Sequence, residues 1–179
     1  ILIDAEEVAI QDSIDEISER MMRCYNQDGP VVSRTFQMYR KDSFDKMTHW
    51  LDNPLCVPAI KLVRGAYYNE DKATGLLHES AEETHRAYND ALDYLLDYQT
   101  TKPLDVLVAS HNTISCRKLL ERPNSFGCAQ LLGMKNDLSH EMKKSGILTY
   151  KYIPFGNWHD TLPYLIRRLY ENHAILQHL

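Results

Sequence analysis

Short apolar or β-branched runs alternate with helix-period patterns along the whole chain. The runs Ile1–Ile3, Val31–Met38, Ala59–Val63, Leu104–Ala109, Cys128–Leu132 and Ile147–Ile153 predict six strands. Between the first two, Ile10, Ile14, Ile17, Met21 and Tyr25 form one stripe at the 3.6-residue period, which predicts an amphipathic helix. A second helix opens at Ser80, with Glu83 three residues on as in a capping box. Ala87, Ala91, Tyr94, Leu95 and Tyr98 make its expected apolar face. A third follows Asn112. The last begins near Asp160, tolerates Pro163 in its first turn, and runs towards Leu176. Strands separated by steps of about 20 to 45 residues with helices between them are βα units around a parallel sheet. Both an open doubly wound sheet and most of an eight-unit barrel fit this pattern.

With 179 residues, 44% of them hydrophobic, the chain can build one core, so a single domain over 1–179 is expected. It holds 20 basic and 25 acidic residues, a net charge of −5, and the basic ones are scattered, which argues against a nucleic-acid surface. No apolar run approaches the roughly 20 residues of a membrane span. The 4 cysteines, at 24, 56, 116 and 128, show no metal spacing and read as reduced thiols. The 8 histidines are dispersed with no i, i+4 ligand pair, so no metal set is expected. With 7 glycines and no GxGxxG after any strand, neither a Rossmann phosphate turn nor a P-loop is present. Ile1-Leu2-Ile3-Asp4 reads as the end of a buried strand cut into from upstream, and the chain does not open on a basic-plus-apolar signal pattern.

The polar residues carry more information through where they fall. Asp4-Ala5-Glu6, Gln37, Lys61, Arg64 to Tyr68, Ser110-His111-Asn112, Gln130 and Lys151-Tyr152 all lie at or just past the C-terminal ends of strands, the edge on which parallel α/β folds build their sites. Lys61 and Arg64 have opposite parity, so both serve one site only if Arg64 lies beyond the strand end. On the last helix, Leu162, Leu165, Ile166, Leu169 and Leu176 gather on one side, with Tyr164, Arg167, Arg168 and Glu171 opposite. That polar arc reads either as a solvated face with Arg–Glu pairs worth a few tenths of a kcal/mol, or as an anion site. Adjacent guanidiniums about 100° apart can both reach one small carboxylate, and Tyr164 would line the same pocket.

Taken together, Asp4-Ala5-Glu6, the KLVRGAY run from Lys61 to Tyr67, Ala109-Ser110-His111-Asn112, Gln130 to Met134, Lys151 to Gly156 and the PYLIRRLYEN run from Pro163 to Asn172 resemble the proline dehydrogenase family, in its eukaryotic mitochondrial branch. The resemblance implies a (βα)8 TIM-like barrel, here without its first two strands, the second of which carries a carboxylate-binding lysine in the family. The Arg122 to Phe126 connection is also shorter than the family's. The implied activity is FAD-dependent oxidation of L-proline to Δ1-pyrroline-5-carboxylate, the first step of proline catabolism. Electrons would pass to a quinone or other respiratory-chain acceptor, with peripheral association on the matrix side of the mitochondrial inner membrane. By the same resemblance, Arg167 and Arg168 clamp the proline carboxylate, Tyr152, Tyr164, Leu131, Ala66 and Tyr67 shape the ring pocket, and Asp4 lies near the substrate. Gln37, Lys61, Arg64, Tyr68 and His111 contact the flavin, with Asn112, Gln130 and Glu171 completing the cofactor set.

Such a reaction asks little acid–base work of the protein, because the flavin performs the difficult step. The chain must hold proline C5 about 3 to 3.5 Å from flavin N5, and a gripped carboxylate supplies that orientation. The amine must be unprotonated, so activity is expected to rise with pH. Hydroxyproline is the alternative substrate, disfavoured by the bulk of Tyr152 over the C4 edge. A non-catalytic barrel remnant acting as a binding partner is the alternative from another class.

Overall fold

The computed structural model describes residues 1–122 and 126–171, without the side chains of residues 160 and 167–171. Its order is β1 (Leu2–Ile3), α1 (Val8–Tyr25), β2 (Ser33–Gln37), α2 (Ser43–Asp52), β3 (Ala59–Val63), α3 (Tyr68–Asp71) running into a 3-10 turn (Lys72–Thr74), α4 (Ala81–Tyr98), β4 (Asp105–Ala109), α5 (Thr113–Glu121), β5 (Gly127–Leu131), α6 (Asn136–Lys144), β6 (Thr149–Tyr152) and α7 (Trp158–Glu171). The six strands form one sheet in the order β1-β2-β3-β4-β5-β6, and every pairing is parallel. A doubly wound sheet must reverse its strand order at a switch point, and this one does not. With right-handed crossovers throughout, sequential order carries every helix to the same face. The architecture is therefore a partial (βα)8-type barrel, which resolves the choice the sequence pattern leaves open.

The core lies between the sheet and the helices. Ile60, Leu62, Val106, Val108 and Cys128 from the strands meet Tyr88, Ala91, Leu92 and Leu95 of α4, Cys116 and Leu119 of α5, and Leu138 and Met142 of α6. The opposite parity faces the concave side and is only partly covered, as the alternating burial of β3, β4 and β5 records.

Several expectations shift. On α1 the buried residues are Gln11, Ser18 and Met22. The predicted stripe stays largely outside, with Ile10, Ile17 and Tyr25 more than half exposed. Asp15 lies on the packed side and pairs with Arg34 of β2 at 3.0 Å, while Asp12, largely exposed, comes within 3.5 Å of Lys46 of α2. On α4 the buried face likewise rotates by about one residue, to Tyr88, Ala91, Leu92 and Leu95, leaving Ala87, Tyr94 and Tyr98 at its border. The Ser80 half of the capping box is present: the Ser80 hydroxyl accepts from the Glu83 amide at 3.1 Å. The Glu83 carboxylate accepts from the amide of Glu79 rather than that of Ser80, at 2.9 Å. α7 starts at Trp158, so Pro163 falls in its second turn and removes one intrahelical bond. α2 and α6 are additional to the helices the pattern predicts; α6 begins from Lys135 in a left-handed conformation with no side-chain cap.

Candidate active site

Strand register sorts the polar residues onto two surfaces. Thr35, Lys61 and Leu107 stand in line on the concave side. Ala129 aligns with Tyr150 there, and Leu131 with Tyr152. Lys61 donates to Asp4 at 2.5 Å, closing the gap over β2. Gln37, buried at the end of β2, donates to the Glu6 carbonyl at 2.8 Å. Glu6 in turn accepts from the Tyr67 hydroxyl. At the far end Tyr152 meets Tyr164 of α7, ring centroids 5.8 Å apart at 56°.

Arg64, the first residue past β3, has an environment of another kind. Its guanidinium lies 4.0 Å over the Tyr88 ring and donates to His85 Nδ1 at 3.0 Å, Ser110 Oγ at 2.8 Å and Ser115 Oγ at 2.9 Å. All of these partners are neutral, and among the described residues no carboxylate forms an ion pair with Arg64. Burial pulls its pKa below the usual guanidinium value. A partly buried cation without a counter-charge is costly, and an anionic ligand would offset that cost. α5 begins three residues beyond Ser110, at Thr113, capped by Asn112, whose side chain accepts from the Ser115 amide at 3.1 Å. His111 Nε2 accepts from the Leu131 amide at 2.8 Å. Burial first, then the Lys151 and Lys135 charges, hold its pKa below the ordinary histidine value.

A family model described as proline dehydrogenase matches residues 1–179. The chain belongs to the proline dehydrogenase family. Human "Proline dehydrogenase 1, mitochondrial" is 33% identical over 99% of this chain and 33% of its own length. Hydroxyproline dehydrogenase of Xenopus laevis is 34% identical over 99% of this chain and 42% of its own. The chain thus spans between a third and a half of the length of these relatives. Proline utilization A from Bdellovibrio bacteriovorus shares the fold, with a TM-score of 0.82, 20% identity, and coverage of 96% of this chain and 20% of that one.

Of the residues that the proline dehydrogenase resemblance singles out, Asp4, Lys61, Leu131 and Tyr152 share the concave side, with Tyr67 tied to it through Glu6 and Tyr164 through Tyr152. Ala66 and Tyr68 follow in the loop and first turn after β3, and the Tyr68 side chain is half exposed. Gln130 sits elsewhere. It aligns with Lys151 and faces the helices, where it is 2% exposed. Its amide donates to the Ser110 carbonyl at 3.1 Å, and its oxygen accepts from Ser139 and from Lys151. The parity rule that separates Lys61 from Arg64 separates Leu131 from Gln130 as well, so the two do not share a face. The backbone of α7 includes positions 167, 168 and 171, and the side chains of Arg167, Arg168 and Glu171 lie outside the described residues. The α7 face expected to be apolar has Leu165 and Ile166 nearly half exposed. Tyr39, Asp71, His85, Tyr88 and Ser115 carry much of the local geometry without having been singled out, and Glu6 stands out in the sequence only as part of the Asp4-Ala5-Glu6 run, since their partners come from distant elements.

Proposed function

We propose that this chain is the catalytic part of an FAD-dependent proline dehydrogenase, oxidising L-proline to Δ1-pyrroline-5-carboxylate as the first step of proline catabolism. The observation that carries this is Arg64, a partly buried guanidinium surrounded by neutral groups at a strand end, which suits a phosphate-bearing cofactor. Ser110, Ser115 and His85 hold that cation in place, and the capped start of α5 adds a positive dipole end beside it. Because His111 Nε2 already accepts a bond, its proton is on Nδ1, leaving an N–H donor for the same ligand. FAD, when bound, supplies the hydride acceptor.

The remaining residues bind and orient proline. Arg167 and Arg168 hold its carboxylate, Tyr152 and Tyr164 close one side of the ring pocket, Tyr67, Ala66 and Leu131 line it, and Asp4 stands near the substrate. Aromatic walls exclude water, and the amine enters unprotonated. Tyr152, braced by Tyr164, leaves little room for a 4-hydroxyl, which supports proline over hydroxyproline. The names of the human and other relatives support a mitochondrial location. A quinone or respiratory-chain acceptor, met by peripheral association with the matrix side of the inner membrane, completes the reading.

The test is retention of flavin. After incubation with FAD and gel filtration, the protein is expected to keep an absorption band near about 450 nm that L-proline bleaches. Arg64→Met is expected to lose the band while its unfolding midpoint moves little, because the variant removes an uncompensated charge rather than half of an ion pair. Protein that holds no flavin and does not respond to proline overturns the reading.

A further inference from the structure

The loops after β1 and β3 are fastened to one another across β2 by two carboxylates. Glu6 accepts the Tyr67 hydroxyl bond. It is itself held at both backbone groups: its amide donates to Gln11 Oε1 at 2.8 Å, and its carbonyl accepts from Gln37 at 2.8 Å. Asp71, 3% exposed, accepts from the Val8 amide at 3.0 Å and from the Tyr39 hydroxyl at 2.6 Å. No described lysine or arginine forms an ion pair with Asp71. Its charge is offset by these two donors and by the start of α1, which has no side-chain cap and no acid in its first turn. Asp71 thus caps α1 from another element.

Tyr39 completes the fastening. A Cβ placed on Gly65 would lie 2.4 Å from the Tyr39 ring, and Gly65 has φ +132°, so ring and backbone are in direct contact. The phenol that Asp71 anchors therefore sets the path of the chain between Arg64 and Tyr67. Burial and the adjacent Asp71 keep that phenol protonated far above its usual range.

We propose that Glu6 and Asp71 are positioning residues which clasp the β1–α1 loop to the β3–α3 loop and so hold the Tyr67 phenol in the wall of the proline pocket. This rests on the reading of Tyr67 as a pocket residue. Asp71 is buried with both oxygens engaged by Val8 and Tyr39, and the Glu6 carboxylate is engaged by Tyr67, so both act through their neighbours.

Steady-state kinetics and hydrogen exchange on the flavin-loaded protein test the clasp. Glu6→Ala is expected to raise the KM for proline by about 10- to 100-fold while leaving kcat within about threefold, since a displaced wall weakens binding without touching the reacting atoms. Glu6→Gln keeps an acceptor for the phenol and is expected to restore most of the loss. In a Tyr67→Phe background Glu6→Ala is expected to add little, because the contact is already gone. Exchange at the amides of residues 67–71 is expected to quicken in Glu6→Ala. In Asp71→Ala exchange is expected to quicken at Val8, because the acceptor of its amide is removed. A fall in kcat at constant KM, equal effects of Glu6→Ala and Glu6→Gln, additivity with Tyr67→Phe, or unchanged exchange overturns the clasp. Wild-type protein that does not oxidise proline overturns the proposed function instead, and exchange, which needs no turnover, still decides the clasp.

Discussion

His111 is a histidine fixed in one tautomer. A ring nitrogen that accepts from the Leu131 amide at 2.8 Å carries no proton, and protonation would break that bond. Burial and the nearby Lys151 and Lys135 lower the folded pKa below the unfolded value of 6.5. The unfolded chain then binds more protons in the interval between the two values. The stabilisation is therefore fully present above about 6.5 and lost as pH falls towards the folded value. His111→Gln is expected to flatten this decline, measured as unfolding midpoints across a pH series. His85, lowered by its own burial and by Arg64, slopes the same way but is common to both proteins, so their difference reports His111. The Lys61–Asp4 and Tyr152–Tyr164 contacts join residues whose importance is legible in the sequence. The neutral surroundings of Arg64 are not, because Ser110 and Ser115 lie 46 and 51 residues away along the chain.

The helices show how far periodicity reaches. It locates α1 and α4 well and misjudges which side of each is buried, because the apolar stripe records amphipathicity while neighbouring elements choose the face that is covered. On α1 the sheet takes Gln11, Ser18 and Met22, with Asp12 and Asp15 turned to Lys46 and Arg34. Ile17, 58% exposed, and Met22, 0% exposed, are the informative pair. Ile17→Glu is expected to change the unfolding free energy by no more than about 0.5 kcal/mol. Met22→Ala is expected to cost about 2 to 5 kcal/mol. Urea titration of both variants reads the difference, and the reverse order would restore the stripe as the packed face. α2 and α6 go unseen because they are short, 10 and 9 residues, and neither start makes a side-chain cap, whereas α1, equally uncapped, shows the helical period over 18 residues.

Across the molecule the sheet has two unequal faces, and stability is concentrated on one. Leu95 of α4 is fully buried against the helix-facing side, whereas Leu107 of β4 points to the partly covered concave side. Leu95→Ala is expected to cost about 2 to 5 kcal/mol in a cooperative transition, and Leu107→Ala less than about 1 kcal/mol. Comparable losses in the two variants would mean that the concave side is packed as a second core. The concave side therefore has sequence freedom for binding chemistry that the helix-facing side lacks. Strand positions, the alternation of strand and helix, the Ser80 and Asn112 helix starts and the family motifs are all readable from the chain, because each is set by neighbours within a few residues. The barrel-type winding, the covered face of each helix, the turning of Gln130 away from the concave side and the clasp of Glu6 and Asp71 are not. They follow from strand register and from contacts between residues tens of positions apart, where side chains meet only after the sheet has closed around its core.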